Sequence, residues 1–218
     1  AILDGEVDTS APELAGADIT DKSPCTVTSS LRTKTHSTAM ASLLVARDYG
    51  ISPNAKILAY RLTLPAEGDS SGTDCQNATG IRKDTVPSLI NTAINDGAQI
   101  ITISSSNEGG TDPLKWAMAR AVSPGIIITA ATGNNAKNET DVSYEKWSGV
   151  IGVTAIDTDG NFQDYSSWGE GVVSAAIGGP VKVRDYSTGQ NAPVSGTSIS
   201  APLVAGSLAL ARQKWPQA

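Results

Sequence analysis

The residues Gly125-Ile126-Ile127-Ile128-Thr129-Ala130-Ala131 form the longest apolar run in the chain. Their apolar side chains are consecutive rather than alternating, which is typical of a strand that is covered on both faces. Shorter apolar runs predict further strands at residues 1–3, 57–62, 100–104, 150–155 and 172–176. Helical patterns cover residues 38–47, 86–96, 113–121 and 201–214. This alternation predicts an α/β fold with three layers, a mostly parallel central sheet with helices on both faces.

The composition fits one globular domain and argues against two classes of partner. The chain has 218 residues, of which 39% are hydrophobic and 17% are charged, enough to build a buried core. Its net charge of −6 disfavours nucleic acid, because binding nucleic acid needs a basic face. No apolar run approaches the ~20 residues of a membrane span. We therefore expect a monomeric single domain over residues 1–218, without nucleic-acid or membrane partners.

The beginning of the chain and its two cysteines bear on its origin. The chain opens on Ala1-Ile2-Leu3-Asp4, which has the pattern of the end of a strand, so we expect a segment excised from a longer precursor. Cys25 and Cys75 match no zinc-binding or redox spacing. They form either one disulfide, which implies an oxidising compartment, or two ordinary thiols. The spacing leaves both alternatives open.

Polar residues follow several of the predicted strands. Asp4 ends the first strand, the serines at 104–106 end the strand at 100–104, and Asn134 closely follows the strand at 126–131. Open parallel sheets bind ligands at the carboxyl ends of their strands. The only histidine, His36, comes just before the predicted helix at 38–47, and Ser198 comes just before the helix at 201–214. Each of these residues alone is equally consistent with a cap or a turn.

Three segments together carry a family resemblance. Residues 196–206 read Gly-Thr-Ser-Ile-Ser-Ala-Pro-Leu-Val-Ala-Gly and resemble the serine motif of the subtilisin-like serine peptidases. Residues 36–41, His-Ser-Thr-Ala-Met-Ala, resemble the histidine motif of that family, and residues 130–134, Ala-Ala-Thr-Gly-Asn, resemble its asparagine stretch. The order Asp4, His36, Ser198 is the order that subtilisin has.

The resemblance implies a subtilisin-like fold and a serine endopeptidase that works through an acyl-enzyme. His36 would take the proton of the Ser198 hydroxyl, which is a poor nucleophile without a base. Asp4 would hold the correct tautomer of the imidazole and stabilise the imidazolium. The side-chain amide of Asn134 and the backbone N–H of Ser198 would stabilise the oxyanion.

The implied partner is a polypeptide substrate in an extended conformation. Its binding site is predicted to comprise two strand ends and the residues that follow them, namely Ser104, Ser105, Ser106, Ala130, Ala131, Thr132 and Gly133. Ser106 stands where the family usually has glycine, and Thr132 lies nearby. We therefore expect a narrow pocket that favours small or medium residues before the scissile bond.

The segment Asp4-Gly5-Glu6-Val7-Asp8 departs from the usual family pattern, in which Thr or Ser follows the aspartate. Similar openings occur in subtilisin-like enzymes that mature ribosomally made peptides, including macrocyclising ones. An alternative function is therefore a maturation protease or macrocyclase acting on a dedicated precursor peptide. A third alternative is an inactive pseudo-protease that only binds peptide, against which the complete set of catalytic residue types argues.

The resemblance also bears on metals and location. The connection at residues 45–53 is short and lacks the longer loop of the family's tight calcium site, so we predict no metal site and no cofactor. Calcium at another carboxylate cluster, such as one around Asp18 and Asp21, is the remaining alternative. We expect the protein to be secreted or extracytoplasmic.

Overall fold

The structure, a computed structural model, describes residues 1–105, 111–138 and 144–216. The described residues form the strands β1 (Ile2–Asp4), β2 (Ile19–Asp21), β3 (Val27–Thr28), β4 (Ile57–Arg61), β5 (Ser70–Ser71), β6 (Ile100–Ile103), β7 (Ile127–Ala131), β8 (Val150–Ile156), β9 (Val172–Ile177), β10 (Val181–Arg184) and β11 (Asn191–Val194). They also form the helices α1 (Leu31–Val45), α2 (Val86–Asn95), α3 (Asp112–Val122) and α4 (Thr197–Lys214). Short 3-10 helices lie at Pro12–Leu14, Pro65–Glu67, Thr73–Cys75 and Tyr144–Lys146.

The central sheet has seven strands in the order β2-β4-β1-β6-β7-β8-β9. All of its neighbouring strands run parallel. The carboxyl ends of β1, β6 and β7 therefore meet at one edge in the middle of the sheet. This edge is where the sequence predicted the site.

Successive residues of β1 explain why the strands are apolar throughout. Ile2 is 1% exposed and belongs to the same buried cluster as Met40 of α1. The next residue, Leu3, is fully buried and belongs to the cluster on the opposite face, together with Leu89 of α2. Each side chain buried in this way contributes about 1.5–3 kcal/mol. The predicted three-layer α/β fold is thus confirmed, with α1 and α4 on one face and α2 and α3 on the other.

The sequence did not predict β2 or the two small antiparallel sheets, which pair β3 with β5 and β10 with β11. These strands are short, and most of their side chains are exposed or half-buried. They lack the continuous apolar pattern of a central strand.

Two predicted helix starts were wrong. Helix α1 begins at Leu31 rather than at residue 38, because the Ser30 hydroxyl accepts the N–H of Thr33 at 3.1 Å and caps the helix there. His36 therefore lies within α1 and not before it. Helix α4 begins at Thr197 rather than at residue 201, so Pro202 lies inside the helix and not in its first turn.

Cys25 and Cys75 form a disulfide. It joins the segment before β3 to the 3-10 helix Thr73–Cys75, and β3 and β5 pair beside it. Of the two alternatives left open by the sequence, the structure has the disulfide. Within the described residues, no helix has the length and apolar character needed to cross a membrane.

Candidate active site

Asp4 and His36 are in direct contact at the carboxyl edge of the sheet. Asp4 is the last residue of β1, and its side chain is 1% exposed. Nδ1 of His36 lies 2.9 Å from Oδ2 and 3.1 Å from Oδ1 of this carboxylate. The backbone N–H of Gly5 donates to Oδ1 at 2.8 Å. Asp4 is therefore held by its own strand end and faces Nδ1 of His36, which is the arrangement that an orienting carboxylate in a catalytic triad needs.

The Asp4 carboxylate also sets the protonation of His36. Burial lowers the pKa of His36, but the raising effects, led by the charge of Asp4 and its hydrogen bond, together outweigh it. Glu67 adds a smaller raising effect, and Arg32 a smaller lowering one. The net result is a pKa above the ordinary value of 6.5. About a third of the His36 side chain stays exposed, at 35%, so the ring is accessible from the solvent side.

Asn134 and Ser198 border the same small space in front of Gly196. A Cβ built on Gly196 would lie 3.1 Å from Nδ2 of Asn134 and 3.1 Å from Oγ of Ser198. Glycine keeps this space open. Ser198 is the second residue of α4, where backbone N–H groups have no intrahelical acceptor and the helix dipole favours negative charge. If an oxyanion developed in this space, the two groups that could donate to it are Nδ2 of Asn134 and the backbone N–H of Ser198.

Thr197 determines which way the Asn134 amide faces. Oδ1 of Asn134 accepts the backbone N–H of Thr197 at 2.8 Å and its hydroxyl at 3.1 Å. The Thr197 hydroxyl in turn accepts the N–H of Gly133 at 3.1 Å. Because Oδ1 is engaged in this way, Nδ2 is left to face Gly196. The sequence alone did not indicate this role of Thr197, although the residue lies inside the serine motif at 196–206.

The described residues contain no hydrogen bond between His36 and Ser198. Helices α1 and α4 carry these two residues and pack in one layer on the same face of the sheet. Contacts between a nucleophile and its base are often long in an unliganded enzyme and tighten when substrate binds.

The predicted substrate-binding residues are placed differently from one another. Ser104 is 5% exposed, and its hydroxyl donates to the carbonyl of Ser198 at 3.1 Å. Ser105 is half-buried, and its hydroxyl has no hydrogen-bond partner within the described residues. Ser106 lies outside the described residues. The Ser104 side chain is thus engaged with the backbone of Ser198.

The second strand end of the predicted substrate-binding site, residues 130–133, exposes little side-chain surface to a peptide. Ala130 is fully buried, and Ala131 and Thr132 are 3% and 1% exposed. The Thr132 hydroxyl donates to the carbonyl of Ser167 at 3.3 Å, so its proton is used in a buried hydrogen bond within the protein. Gly133 is also buried, whereas Asn134 is exposed.

A group of charges beside the Asp4–His36 pair was not recognised in the sequence. Glu6 accepts from Lys34 at 3.1 Å and from Arg61 at 3.2 Å. The fully buried Ser37 donates to the carbonyl of Glu6 at 2.7 Å. These contacts tie the loop after Asp4 to the helix that carries His36. The sequence did contain a signal for this group, because Glu6 lies two residues after the aspartate and the oppositely charged Lys34 lies two residues before the histidine.

The described residues contain one group of three potential metal ligands, Cys25, Cys75 and Asp84. The sulfur atoms of both cysteines are bonded to each other in the disulfide, so this group has no thiolate that could bind a metal.

The comparisons with known proteins concern the family and the fold of the chain. The family model described as the subtilase family matches residues 1–218. A thermostable alkaline protease of Halalkalibacterium halodurans is 30% identical over 188 residues, which cover 83% of this chain and 48% of that protein. The chain thus spans about half the length of this curated relative.

Two solved structures with the same fold are a protease domain and a maturation protease. The protease domain of PatA, solved as a serine-to-alanine mutant, is 27% identical with a TM-score of 0.77, over 99% of this chain and 80% of that one. The prenylagaramide maturation protease PagA is 25% identical with a TM-score of 0.73, over 97% of this chain and 76% of that one. On the strength of the family match over its whole length, the chain belongs to the subtilase family.

Proposed function

We propose that this chain is a serine endopeptidase domain in which Asp4, His36 and Ser198 form the catalytic triad. The observation that carries the proposal is the contact of Asp4 with Nδ1 of His36 at 2.9 Å, at the sheet edge that also bears Asn134. This contact leaves Nε2 as the nitrogen that can act on a serine hydroxyl.

The reaction follows from these groups. Nε2 of neutral His36 takes the proton of the Ser198 hydroxyl as its oxygen attacks the peptide carbonyl. The carbonyl π electrons move to oxygen, where Nδ2 of Asn134 and the N–H of Ser198 donate to it. The imidazolium then protonates the leaving amine, and the C–N bond breaks. Water, activated by the same imidazole, hydrolyses the ester and regenerates Ser198.

A maturation protease that acts on one dedicated precursor peptide is the second candidate. The likeness to a protein named as a prenylagaramide maturation protease supports it, together with the opening Asp4-Gly5-Glu6-Val7-Asp8. In a cyclising variant of this reaction the acyl group passes to the peptide's own amine instead of to water. The triad and the oxyanion site are the same in both candidates, so the acceptor decides between them.

We extend the proposal to the partner, the oligomeric state, the cofactor and the location of the protein. The partner is a polypeptide substrate, and the protein works as a monomer without a cofactor. The disulfide supports a secreted or extracytoplasmic location, because such bonds persist in oxidising compartments.

A fluorophosphonate probe tests the nucleophile. We expect one equivalent of probe on Ser198 of the wild-type protein and none on Ser198→Ala. The matched control is Ser200→Ala, which removes a buried serine two residues further along α4 and should label like the wild type. A wild-type protein that binds peptides but takes up no probe would be a pseudo-protease, and the proposal would fail.

Product mass then separates the two candidates. Incubation with a mixture of unrelated linear peptides should give pairs of fragments whose summed mass exceeds that of the parent peptide by one water for each cut. Cleavage restricted to one precursor-like sequence would favour the maturation protease. Products with the mass of a cyclic peptide would show transfer to an amine.

A further inference from the structure

Pro202 interrupts the hydrogen bonding of α4 at the residue that carries the nucleophile. In an α-helix each backbone N–H donates to the carbonyl four residues earlier, so residue 202 is the usual donor to the carbonyl of Ser198. Proline has no N–H, and its ring pushes against that same carbonyl. The Ser198 carbonyl therefore lacks its ordinary helical donor.

A side chain from the central sheet meets this carbonyl. The Ser104 hydroxyl donates to the Ser198 carbonyl oxygen at 3.1 Å, and Ser104 is 5% exposed. Ser104 directly follows β6, which lies between β1 and β7 in the sheet. Both neighbouring strands lead into site residues, Asp4 and Asn134. The donor is thus held by the same rigid edge as the rest of the site.

We propose that Ser104 is a positioning residue for the nucleophile, because its hydroxyl replaces the N–H that Pro202 cannot supply to Ser198. The proposal rests on the proposed function of Ser198. A fixed carbonyl fixes the peptide plane after Ser198 and with it the direction of the Cα–Cβ bond. Because the reacting hydroxyl must be placed to within a fraction of an ångström, losing this contact lowers the rate of the chemical step.

A hydroxyl on the same helix separates positioning from simple stabilisation. Ser200 is fully buried in α4 and donates to the carbonyl of Ala176 in β9 at 2.9 Å. It makes the same kind of bond between α4 and the sheet, but to a carbonyl outside the site. Ser200→Ala is therefore the matched control for loss of a buried hydroxyl-to-carbonyl bond.

The test is a double-mutant cycle with Pro202→Ala, which restores an N–H at residue 202. We expect Ser104→Ala to lower kcat about tenfold, with KM within about twofold. In the Pro202→Ala background the same change should lower kcat less than about threefold, because the carbonyl now has a helical donor. Ser200→Ala should lower the melting temperature and leave kcat unchanged. Equal losses in both backgrounds, or an equal loss in Ser200→Ala, would overturn the proposal.

A second measurement does not depend on activity. In carbonyl-labelled protein the ¹³C resonance of Ser198 should move upfield in Ser104→Ala and move back when Pro202→Ala is added. An unchanged resonance refutes the positioning role, whereas a wild type that takes up no fluorophosphonate refutes the peptidase function. If Ser104→Ala does not fold, Ser104→Cys fills the same space with a weaker donor and should show smaller changes in the same directions.

Discussion

Gly5 and Thr33 are fitted to each other: a Cβ on Gly5 would lie 2.1 Å from Cγ2 of Thr33. The backbone N–H of Gly5 is also the donor that holds Oδ1 of Asp4. The glycine after the aspartate, which departs from the usual family pattern, is thus paired with a threonine in the first turn of α1.

Substitution of Gly5 by serine, toward the family pattern, should therefore depend on residue 33. We expect Gly5→Ser to cost about 1–3 kcal/mol of the free energy of unfolding through overpacking, and to lower activity by moving Asp4. Thr33→Ser removes the Cγ2 methyl and keeps a hydroxyl at that position, so the double variant should regain most of the loss. Urea unfolding and kcat/KM of the four proteins measure this. Independent, additive losses would show that the two residues do not interact.

The raised pKa of His36 predicts opposite pH dependences for activity and stability. Catalysis needs neutral His36, so kcat/KM should fall on acidification with an apparent pKa above the ordinary 6.5. Asp4→Asn should lower this apparent pKa, because the charge of Asp4 is the largest raising cause. Full activity at pH 5 would exclude His36 as the base.

Stability follows the opposite sign. A folded-state pKa above the unfolded one means that protonated His36, paired with the Asp4 carboxylate, stabilises the native state fully below pH 6.5. This contribution is lost as pH rises through the folded-state pKa of His36. The difference in melting temperature between the wild type and His36→Gln should therefore be largest below pH 6.5 and shrink above it. A difference that grows with pH would contradict the contact with Asp4.

Asn134→Ala should lower kcat by ~10²–10³ with a smaller change in KM. That range is the one known for the corresponding donor of subtilisin itself, so the magnitude tests the resemblance. Thr197→Val should give a smaller loss, since it removes one of the two bonds that orient the Asn134 amide. Steady-state kinetics on one peptide substrate measure both variants. An unchanged kcat in Asn134→Ala would place the oxyanion elsewhere.

The disulfide closes a loop with a sequence separation of 50 residues. In the chain-entropy account such a loop contributes about 4 kcal/mol to the free energy of unfolding. Guanidinium unfolding of the oxidised protein, the reduced protein and Cys25→Ser/Cys75→Ser should show this loss equally in the last two. No difference between oxidised and reduced protein would mean that other contacts already order the two segments.

Chelation of calcium should leave the melting temperature unchanged. Asp21, one of the two carboxylates considered as a remaining site, accepts from Nη2 of Arg61 at 2.7 Å and so already faces a positive charge. Melting curves with and without EDTA measure the effect. A steep drop in chelator, reversed by added calcium, would show a bound ion that stabilises the native state.

The order of the helices and of six of the seven strands of the central sheet could be read from the sequence, and so could the identity of the candidate catalytic residues. Strands covered on both faces have continuous apolar runs, and the polar residues at their ends stand out against them, as Asp4 does after Ile2 and Leu3. The motif around Ser198 is likewise local, since its glycine, serine and proline lie within one short segment.

Only the tertiary structure decided the contacts between distant segments. Asn134 caps Thr197 across 63 residues, and Ser104 reaches Ser198 across 94. The disulfide spans 50 residues, and the small antiparallel sheets pair short strands that lack a continuous apolar pattern. Local periodicity does not predict such contacts, because they depend on which strand ends the parallel sheet brings together. For the same reason α4 begins at Thr197, where a side chain from another strand end accepts its first N–H.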